Sequence, residues 1–200
     1  MKMKRLITAF LLWLAMVGYV SAQSTELELM AGTNSIAGGV AFRRPLSSGY
    51  MKFGVSGVIT DDDDTEYQLG NVKFVVGNET LAPGLSIEAG LQGIFGTAEE
   101  HNNSGDVAAA AFTARVGYFF PKRLIPIPLE VFGGFTYSPG PLTFMDLEEY
   151  SEINLGVGVQ IIPNASVQLT YHSYDMEINE GGRTFTVDDT ALRLGLVMRF

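Results

Sequence analysis

The chain alternates apolar residues with small or polar residues at a period of two, and this alternation returns in ten segments after residue 22. In "EINLGVGVQI" one face carries Ile153, Leu155 and Val157, and the other carries Asn154 and Gly156. A period of two puts successive side chains on opposite faces of a β-strand, so the pattern predicts an all-β chain. The predicted strands are 25–33, 35–43, 50–60, 65–76, 84–96, 106–120, 129–138, 149–161, 165–175 and 186–200.

The size of the side chains indicates which face of each strand meets lipid. Leu, Val, Ile, Phe and Tyr dominate the apolar face, whereas Gly, Ser, Ala, Thr and Gln dominate the other face. Small polar residues suit a cramped lumen, and the exterior of a soluble barrel would be richer in Lys and Glu. We therefore expect a single transmembrane, antiparallel, up-and-down β-barrel of about ten strands, with its apolar face turned outward.

The N-terminus has the composition of a cleavable secretory signal. The basic stretch "MKMKR" precedes the apolar run "LITAFLLWLAMVGYV", and "VSA" follows with small residues at the positions a signal peptidase reads. Cleavage after Ala22 divides the chain into a signal peptide, 1–22, and a barrel, 23–200. The mature chain then has 10 basic and 22 acidic side chains, a net charge of −12, which argues against a nucleic-acid partner.

The links between the predicted strands sort the charges by end. If both termini lie in the periplasm, the odd-to-even links face outward, and these hold 16 of the 22 acidic residues with Arg183 as their single basic residue. Arg43, Arg44, Lys122 and Arg123 fall in the periplasmic links. This separation supports the up-and-down topology and predicts acidic extracellular loops.

The chain ends on Phe200, at the last position of an alternating strand. Pairing of this strand with the first strand would remove both sheet edges, and the aromatic ring would lie at the periplasmic interface. Such an ending resembles the C-terminal signature of outer-membrane barrels, which implies recognition by the barrel-assembly machinery.

Charged residues inside the predicted strands fall on the small, polar face, where they avoid a cost of about 2–4 kcal/mol for Arg or Lys in mid-bilayer lipid. Because both signs occur, we expect ion pairs that largely fill the lumen. Replacing Glu130 or Arg115 with alanine should then lower the free energy of unfolding by about 3–5 kcal/mol if it leaves a buried partner without its counter-ion. The predicted inward charges are Glu28, Lys52, Lys73, Glu88, Arg115, Glu130, Glu152, Arg193 and Arg199.

The fourth segment alternates less regularly than the others, and a β-bulge near Gly70 or Asn71 would account for this.

Two histidines are the candidate catalytic residues. His101 lies in the acidic stretch "EEHNN", which is typical of a solvated loop, whereas His172 in "YHSYD" is expected to face the lumen. Ser173 and Asp175 lie at odd offsets from His172 and point to the opposite face of an extended strand, so neither completes a nucleophile–base pair. We therefore expect no catalytic residues.

The acidic run from Asp61 to Asp64, followed by Glu66, invites a calcium hypothesis. The spaced D-x-D-x-D-G loop that folds around Ca²⁺ is missing, so a solvated loop tip is the preferred interpretation and no metal ligands are assigned. These acids could still share divalent cations with lipopolysaccharide phosphates. The stretch "GLQGIFG" is strand glycine, since no helix follows it, and no cofactor site is predicted.

The chain resembles the YfaZ family of small Gram-negative outer-membrane proteins. The similarity is carried by "FGGFTYSPGPL", by "EYSEINLGVGVQIIPNASVQLTYHSY", and by the strand leading into an acidic tip, "VSGVITDDDDTEYQLG". The chain departs from the family pattern in the long turn "FFPKRLIPIPLEV" and in the extended last loop. The resemblance implies an outer-membrane barrel and supplies no catalytic residues.

Taken together, these features predict a monomeric barrel of the Gram-negative outer membrane with a structural or surface-interaction role and no catalysis. Its expected partners are outer-membrane lipids and lipopolysaccharide, besides the assembly machinery. A narrow passive channel for small solutes or ions is the first alternative. A membrane-embedded hydrolase and a soluble periplasmic ligand-binding barrel are weaker ones.

Overall fold

The computed structural model describes residues 24–62, 65–79, 82–101, 103–121 and 123–200, so the predicted signal peptide, Asp63, Asp64 and Lys122 lie outside the described residues. Among the described residues, no helix has the length and apolarity required to cross a membrane. Almost all of the described chain forms antiparallel strands. They are β1 (Ser24–Gly32), β2 (Ser35–Leu46), β3 (Gly49–Asp61), β4 (Thr65–Asn78), β5 (Leu85–Glu100), β6 (Asn103–Phe119), β7 (Leu129–Ser138), β8 (Thr143–Met145), β9 (Leu147–Ile162), β10 (Ala165–Glu180) and β11 (Arg183–Arg199).

Ten of these strands close into a barrel in chain order. Each strand pairs with the next, β7 pairs with β9 across the link that contains β8, and β11 returns to pair with β1. Two backbone bonds seal this last seam: the Thr25 amide donates to the Phe200 carbonyl at 2.9 Å, and the Phe200 amide donates to the Thr25 carbonyl at 2.8 Å. Closure removes both sheet edges, so the predicted architecture is confirmed.

Several predicted links are shorter than expected because the strands continue through them. The segments 97–105 and 176–185, which lie between predicted strands, are mostly strand where the structure describes them, and a tight turn at Gly181 and Gly182 joins β10 to β11. Gly181 and Gly182 both have positive φ, which a tight turn between paired strands favours. At the other end β2 runs through Arg43 and Arg44, which were predicted to lie in a turn.

The predicted bulge near Gly70 and Asn71 is wrong. The pairing of β4 with β3 and with β5 runs through this region without a register shift. The register shifts in the ring occur instead between β9 and β10, at Ala165/Ser166 and at Glu177/Ile178.

The irregularity of β4 has a different physical cause, because the apolar residues change faces along the strand. Val72 and Phe74 are exposed on the outer face. Tyr67 and Leu69, which come earlier in the same strand, are buried inside the barrel. We call the end of the barrel at which β1 begins and Phe200 lies the terminal end, and the opposite end the acidic end. The change of face on β4 lies on the side of the acidic end.

The same change of face occurs on β10. Leu169 and Tyr171 are exposed on the outer face, but further along the strand the outer face carries Asp175, and Met176 and Ile178 are buried inside. Where the outer surface meets hydrocarbon, apolar residues point out; where it meets water, they point in, as in a soluble barrel. The strands therefore extend beyond the apolar belt at the acidic end.

The inward residues near the acidic end pack into what we call the apolar cluster. It consists of Val58, Tyr67, Leu69, Ile94, Ala98, Val107, Ala109, Ala111, Leu147, Tyr150, Tyr174, Met176, Ile178 and Val187. The lumen is polar in the half near the terminal end, as expected, whereas the half near the acidic end is apolar, which the sequence pattern did not predict.

Candidate functional site

The polar half of the lumen contains two adjoining cavities. The vestibule, of about 420 Å³, lies at the terminal end and is lined by Arg43, Glu130 and Arg199 among others. The chamber, of about 180 Å³, lies deeper, between the vestibule and the apolar cluster. All nine charges predicted to face inward line one or both of these cavities. The two cavities share Glu26, Lys52, Glu88 and Arg115.

Paired charges lie at the boundary between the vestibule and the chamber. Lys52 Nζ lies 2.8 Å from Glu88 Oε1, and the Tyr50 hydroxyl donates to the same carboxylate oxygen at 2.8 Å. Arg199 Nε donates to Glu26 Oε2 at 2.9 Å, close to the rim of the terminal end. Both carboxylates are thus compensated by cations from other strands, which is what a buried charge requires.

Arg115 and Glu130 do not fit the ion pairing expected of them. The Arg115 guanidinium stacks on the Phe132 ring at 4.0 Å from its centroid, and neither Arg115 nor Glu130 has an ion pair within 4.0 Å among the described residues. The predicted loss of about 3–5 kcal/mol on alanine substitution assumed that a buried partner would lose its counter-ion. Among the charges of the lumen, this condition applies to the pair Lys52–Glu88 instead.

We predict that Lys52→Ala lowers the free energy of unfolding by about 3 kcal/mol, because Glu88 then keeps only the Tyr50 hydroxyl as a compensating donor. Urea unfolding of the refolded barrel in detergent micelles measures this. Arg43→Ala is the comparison: Arg43 pairs with Glu79 at 2.9 Å on a half-exposed rim, where an ion pair contributes about 0–1 kcal/mol, and its stacking on Tyr50 adds about 0.5–1 kcal/mol. Equal losses in the two variants would contradict the prediction.

His172 faces the chamber, as predicted, and Ser173 and Asp175 lie on the other face of β10. Its acidic neighbour is Glu152 on β9: His172 Nδ1 lies 3.3 Å from Glu152 Oε1, and the Tyr150 hydroxyl donates to Glu152 Oε2 at 3.1 Å. The alternation within β10 shows only which of its own residues share a face with His172. Glu152 was not predicted as a partner, because its position beside His172 depends on the register between β9 and β10. Glu152 is opposite Tyr174 in that register.

Arg193 is the largest fully buried polar side chain, 1% exposed, at the inner boundary of the apolar cluster. Its guanidinium donates to Ser35 Oγ at 2.8 Å, to the Tyr174 hydroxyl at 3.1 Å and to the Tyr67 hydroxyl at 3.4 Å. The Tyr67 hydroxyl donates in turn to Asp189 Oδ2 at 2.7 Å. This network joins strands from opposite parts of the chain and compensates the buried cation through Tyr67.

The remaining candidates lie at the acidic end. His101 is in the turn after β5, with its Nδ1 2.9 Å from Glu100 Oε1 and its side chain largely exposed. Asp61 ends β3, and the run that follows it passes outside the described residues. Within the described ranges no group of three or more His, Cys, Asp or Glu side chains is arranged to hold a metal ion.

A closed ring of ten antiparallel strands, with an apolar outer belt, a polar lumen and a terminal aromatic residue on the seam, defines an outer-membrane-type β-barrel. The chain belongs to the YfaZ family, since the family model described as "YfaZ precursor" matches residues 2–200. The resemblance noted from the sequence is thereby confirmed. No curated protein matches the chain.

Three solved structures are among those similar to this chain. The outer membrane channel DcaP of Acinetobacter baumannii has 10% identity and a TM-score of 0.45, over 91% of this chain and 55% of that chain. OmpT, an outer-membrane protein of Vibrio cholerae, has 11% identity and a TM-score of 0.38, over 89% and 96%. The NanC porin has 8% identity and a TM-score of 0.38, over 88% and 99%.

Proposed function

We propose that this protein is a closed, non-conducting barrel of the outer membrane with a structural or surface-interaction role and no catalysis. The observation that carries the proposal is the apolar cluster, in which Val107, Met176, Ile178 and Val187 are 0% exposed. A lumen filled with packed apolar side chains offers an ion no groups to replace its hydration shell, and such a segment blocks conduction.

The hydrogen bonds of Arg193, at the boundary between the chamber and the apolar cluster, also support the proposed closure. Three aromatic rings, those of Tyr67, Tyr150 and Tyr174, occupy the section of the lumen beside it, and all three are buried. Tyr67 and Tyr174 pack with ring centroids 5.4 Å apart, and each also accepts a hydrogen bond from Arg193. Groups that are packed and hydrogen-bonded together in this way cannot move aside singly, so we propose a fixed barrier rather than a gate.

The proposed placement in the cell follows from charge and from the C-terminus. We propose that the signal peptide, 1–22, is removed on export, that the terminal end faces the periplasm, and that the strand ending at Phe200 is recognised by the barrel-assembly machinery. The acidic end then extends beyond the membrane on the outside, where it meets lipopolysaccharide. The ring is closed within one chain, and we propose a monomer.

Planar-bilayer recordings on the refolded mature protein test closure. We expect no steady conductance steps from the wild type, whose folded state is checked by heat-modifiable migration on a detergent gel. Removing two rings, in the variant Tyr67→Ala/Tyr150→Ala, should introduce conductance because it opens the apolar section. Tyr171→Ala, at an exposed outward tyrosine, is the matched control and should remain silent. Steady steps from the wild type would favour the narrow channel instead.

The contact between His172 and Glu152 is the one observation that favours a second candidate, a membrane-embedded hydrolase. A carboxylate can orient a histidine as a general base, but a nucleophile within hydrogen-bond reach of the imidazole is also required. Among the described residues the imidazole contacts only Glu152 and the Tyr174 hydroxyl. Hydrolysis of peptide or lipid substrates that His172→Ala abolishes would establish this candidate.

A further inference from the structure

Part of one wall of the chamber carries small inward side chains. Ala37, Gly39 and Ala41 on β2 and Gly54 and Ser56 on β3 all line the chamber. Ser56 is exposed although its position in the alternation faces the lumen, so open space lies directly above it. Because these five residues are small, the part of the chamber above them is open, while Lys52 on β3 reaches away toward Glu88.

The polar groups that face this space have unused hydrogen-bonding capacity. Gln92 is 3% exposed, and its Oε1 has no hydrogen-bond partner in the part of the chain that the structure describes, while its Nε2 donates to Asn71 Oδ1 at 3.1 Å. The Glu28 carboxylate and the Lys73 ammonium have neither a hydrogen bond nor an ion pair within 4.0 Å to any described residue. Buried polar atoms are normally satisfied, so the unpartnered Gln92 oxygen, together with two half-buried charges that line the same cavity, points to something that binds there.

The unpaired charges have a defined arrangement. Arg115 lies on β6 and Glu28 on β1, and these strands are five positions apart in either direction around the ring of ten. They therefore face each other across the lumen. Stacking on Phe132 covers one face of the Arg115 guanidinium and leaves its in-plane N–H groups free to bind a carboxylate with two hydrogen bonds.

We propose that the chamber binds a small zwitterion whose carboxylate contacts Arg115 and Lys73 and whose ammonium group contacts Glu28. The other charges around the chamber already have partners: Lys52 pairs with Glu88 and Glu26 with Arg199, Glu152 accepts a hydrogen bond from the Tyr150 hydroxyl, and Arg193 donates to two tyrosine hydroxyls. A ligand with one group of each sign compensates both Glu28 and Arg115. A simple anion or a simple cation compensates only one of them.

The volume and the position of the chamber restrict the ligand further. Its volume of about 180 Å³ is below the range of about 300–1,000 Å³ typical of pockets for drug-sized molecules, so the ligand has the size of an amino acid. The apolar cluster lies on the side of the acidic end, so the ligand enters through the vestibule from the terminal end. The binding site does not require the lumen to be closed. Conductance of the wild type would therefore contradict only the proposed closure, and a lack of binding would contradict only the proposed site.

Titration of the refolded mature barrel with glycine, 4-aminobutyrate and 6-aminohexanoate tests the proposal. The three probes share both charged groups and differ in the distance between them, so the preferred member measures the span between Arg115 and Glu28. We expect saturable shifts of the NMR resonances of chamber residues for one of them, with a dissociation constant on the order of 1 mM. Acetate and methylammonium, which carry one group each, should bind at least about tenfold more weakly.

Conservative variants assign the effect to the chamber. Glu28→Gln and Arg115→Lys should each weaken binding by about tenfold, because each removes a charge-assisted or bidentate contact. Ser56→Leu should abolish binding by filling the open space. Arg43→Lys is the matched control, since Arg43 also stacks on an aromatic ring, that of Tyr50 at 3.6 Å, but lines only the vestibule. Its affinity should equal that of the wild type.

Three results would overturn the proposal. The first is the lack of saturable shifts with all three probes. The second is binding that Ser56→Leu leaves intact, which would place the ligand elsewhere. The third is equal affinity for acetate and for the preferred zwitterion, which would remove the role of Glu28.

Discussion

Met176→Asp should lower the free energy of unfolding by at least about 4 kcal/mol, the largest effect expected of a single substitution in this barrel. Met176 is 0% exposed inside the apolar cluster, and the surrounding side chains are apolar or aromatic. A carboxylate placed there either remains charged without a partner or takes up a proton, and both outcomes cost free energy. Urea unfolding in micelles, followed by heat-modifiable migration, measures the loss.

Thr184→Asp is the control for this experiment. It introduces the same side chain at an exposed outward position of the neighbouring strand β11, close to the acidic end. A substitution there should change the stability by no more than about 0.5 kcal/mol. If Met176→Asp were equally mild, water would reach the apolar cluster, and the proposed closure of the lumen would be wrong.

Arg193→Ala is expected to lower the free energy of unfolding by about 3–5 kcal/mol, the second large effect. The substitution removes three hydrogen bonds donated by the guanidinium, and it removes the cation that is linked to Asp189 through the Tyr67 hydroxyl. It also leaves a cavity at the inner boundary of the apolar cluster, which adds to the loss. Arg193→Lys should recover part of the stability, since an ammonium keeps the charge but not the planar set of donors.

Arg199→Ala is the control, because Arg199 faces the same lumen from the rim. The side chains of Arg199 and Glu26 are 43% and 23% exposed, so water partly screens this ion pair and a smaller loss, of about 1 kcal/mol, is expected. Equal losses for Arg193→Ala and Arg199→Ala would show that the buried network adds no stability beyond that of a rim ion pair.

The period-two alternation was sufficient to predict the ten barrel strands and the face on which their charges lie. Leu169 and Gln168 illustrate why: adjacent residues of a strand point to opposite sides, so one assignment fixes the whole segment. The pairing of the last strand with the first was also predictable, since an alternating strand that ends on Phe200 needs a partner to remove its edge.

The extension of the barrel at the acidic end was not predicted, for a physical reason. Alternation is preserved along β10, but the apolar set moves from the outer face, at Leu169, to the inner face, at Met176. A pattern read with one fixed orientation treats such a stretch as a loop or a bulge. The interpretation of segment 176–185 as a loop and the predicted bulge near Gly70 or Asn71 both arose in this way.

The sequence by itself determined the class of fold, the sorting of charge between the two ends, and the inward placement of charged residues, because each of these depends on local alternation and composition. Only the tertiary structure decided which side chains meet. Arg193 reaches Ser35, 158 residues away, and Tyr67 reaches Asp189, 122 residues away, and these contacts exist only because closure brings distant strands around one lumen. Contacts across a lumen depend on register, tilt and closure together, and no local pattern encodes all three.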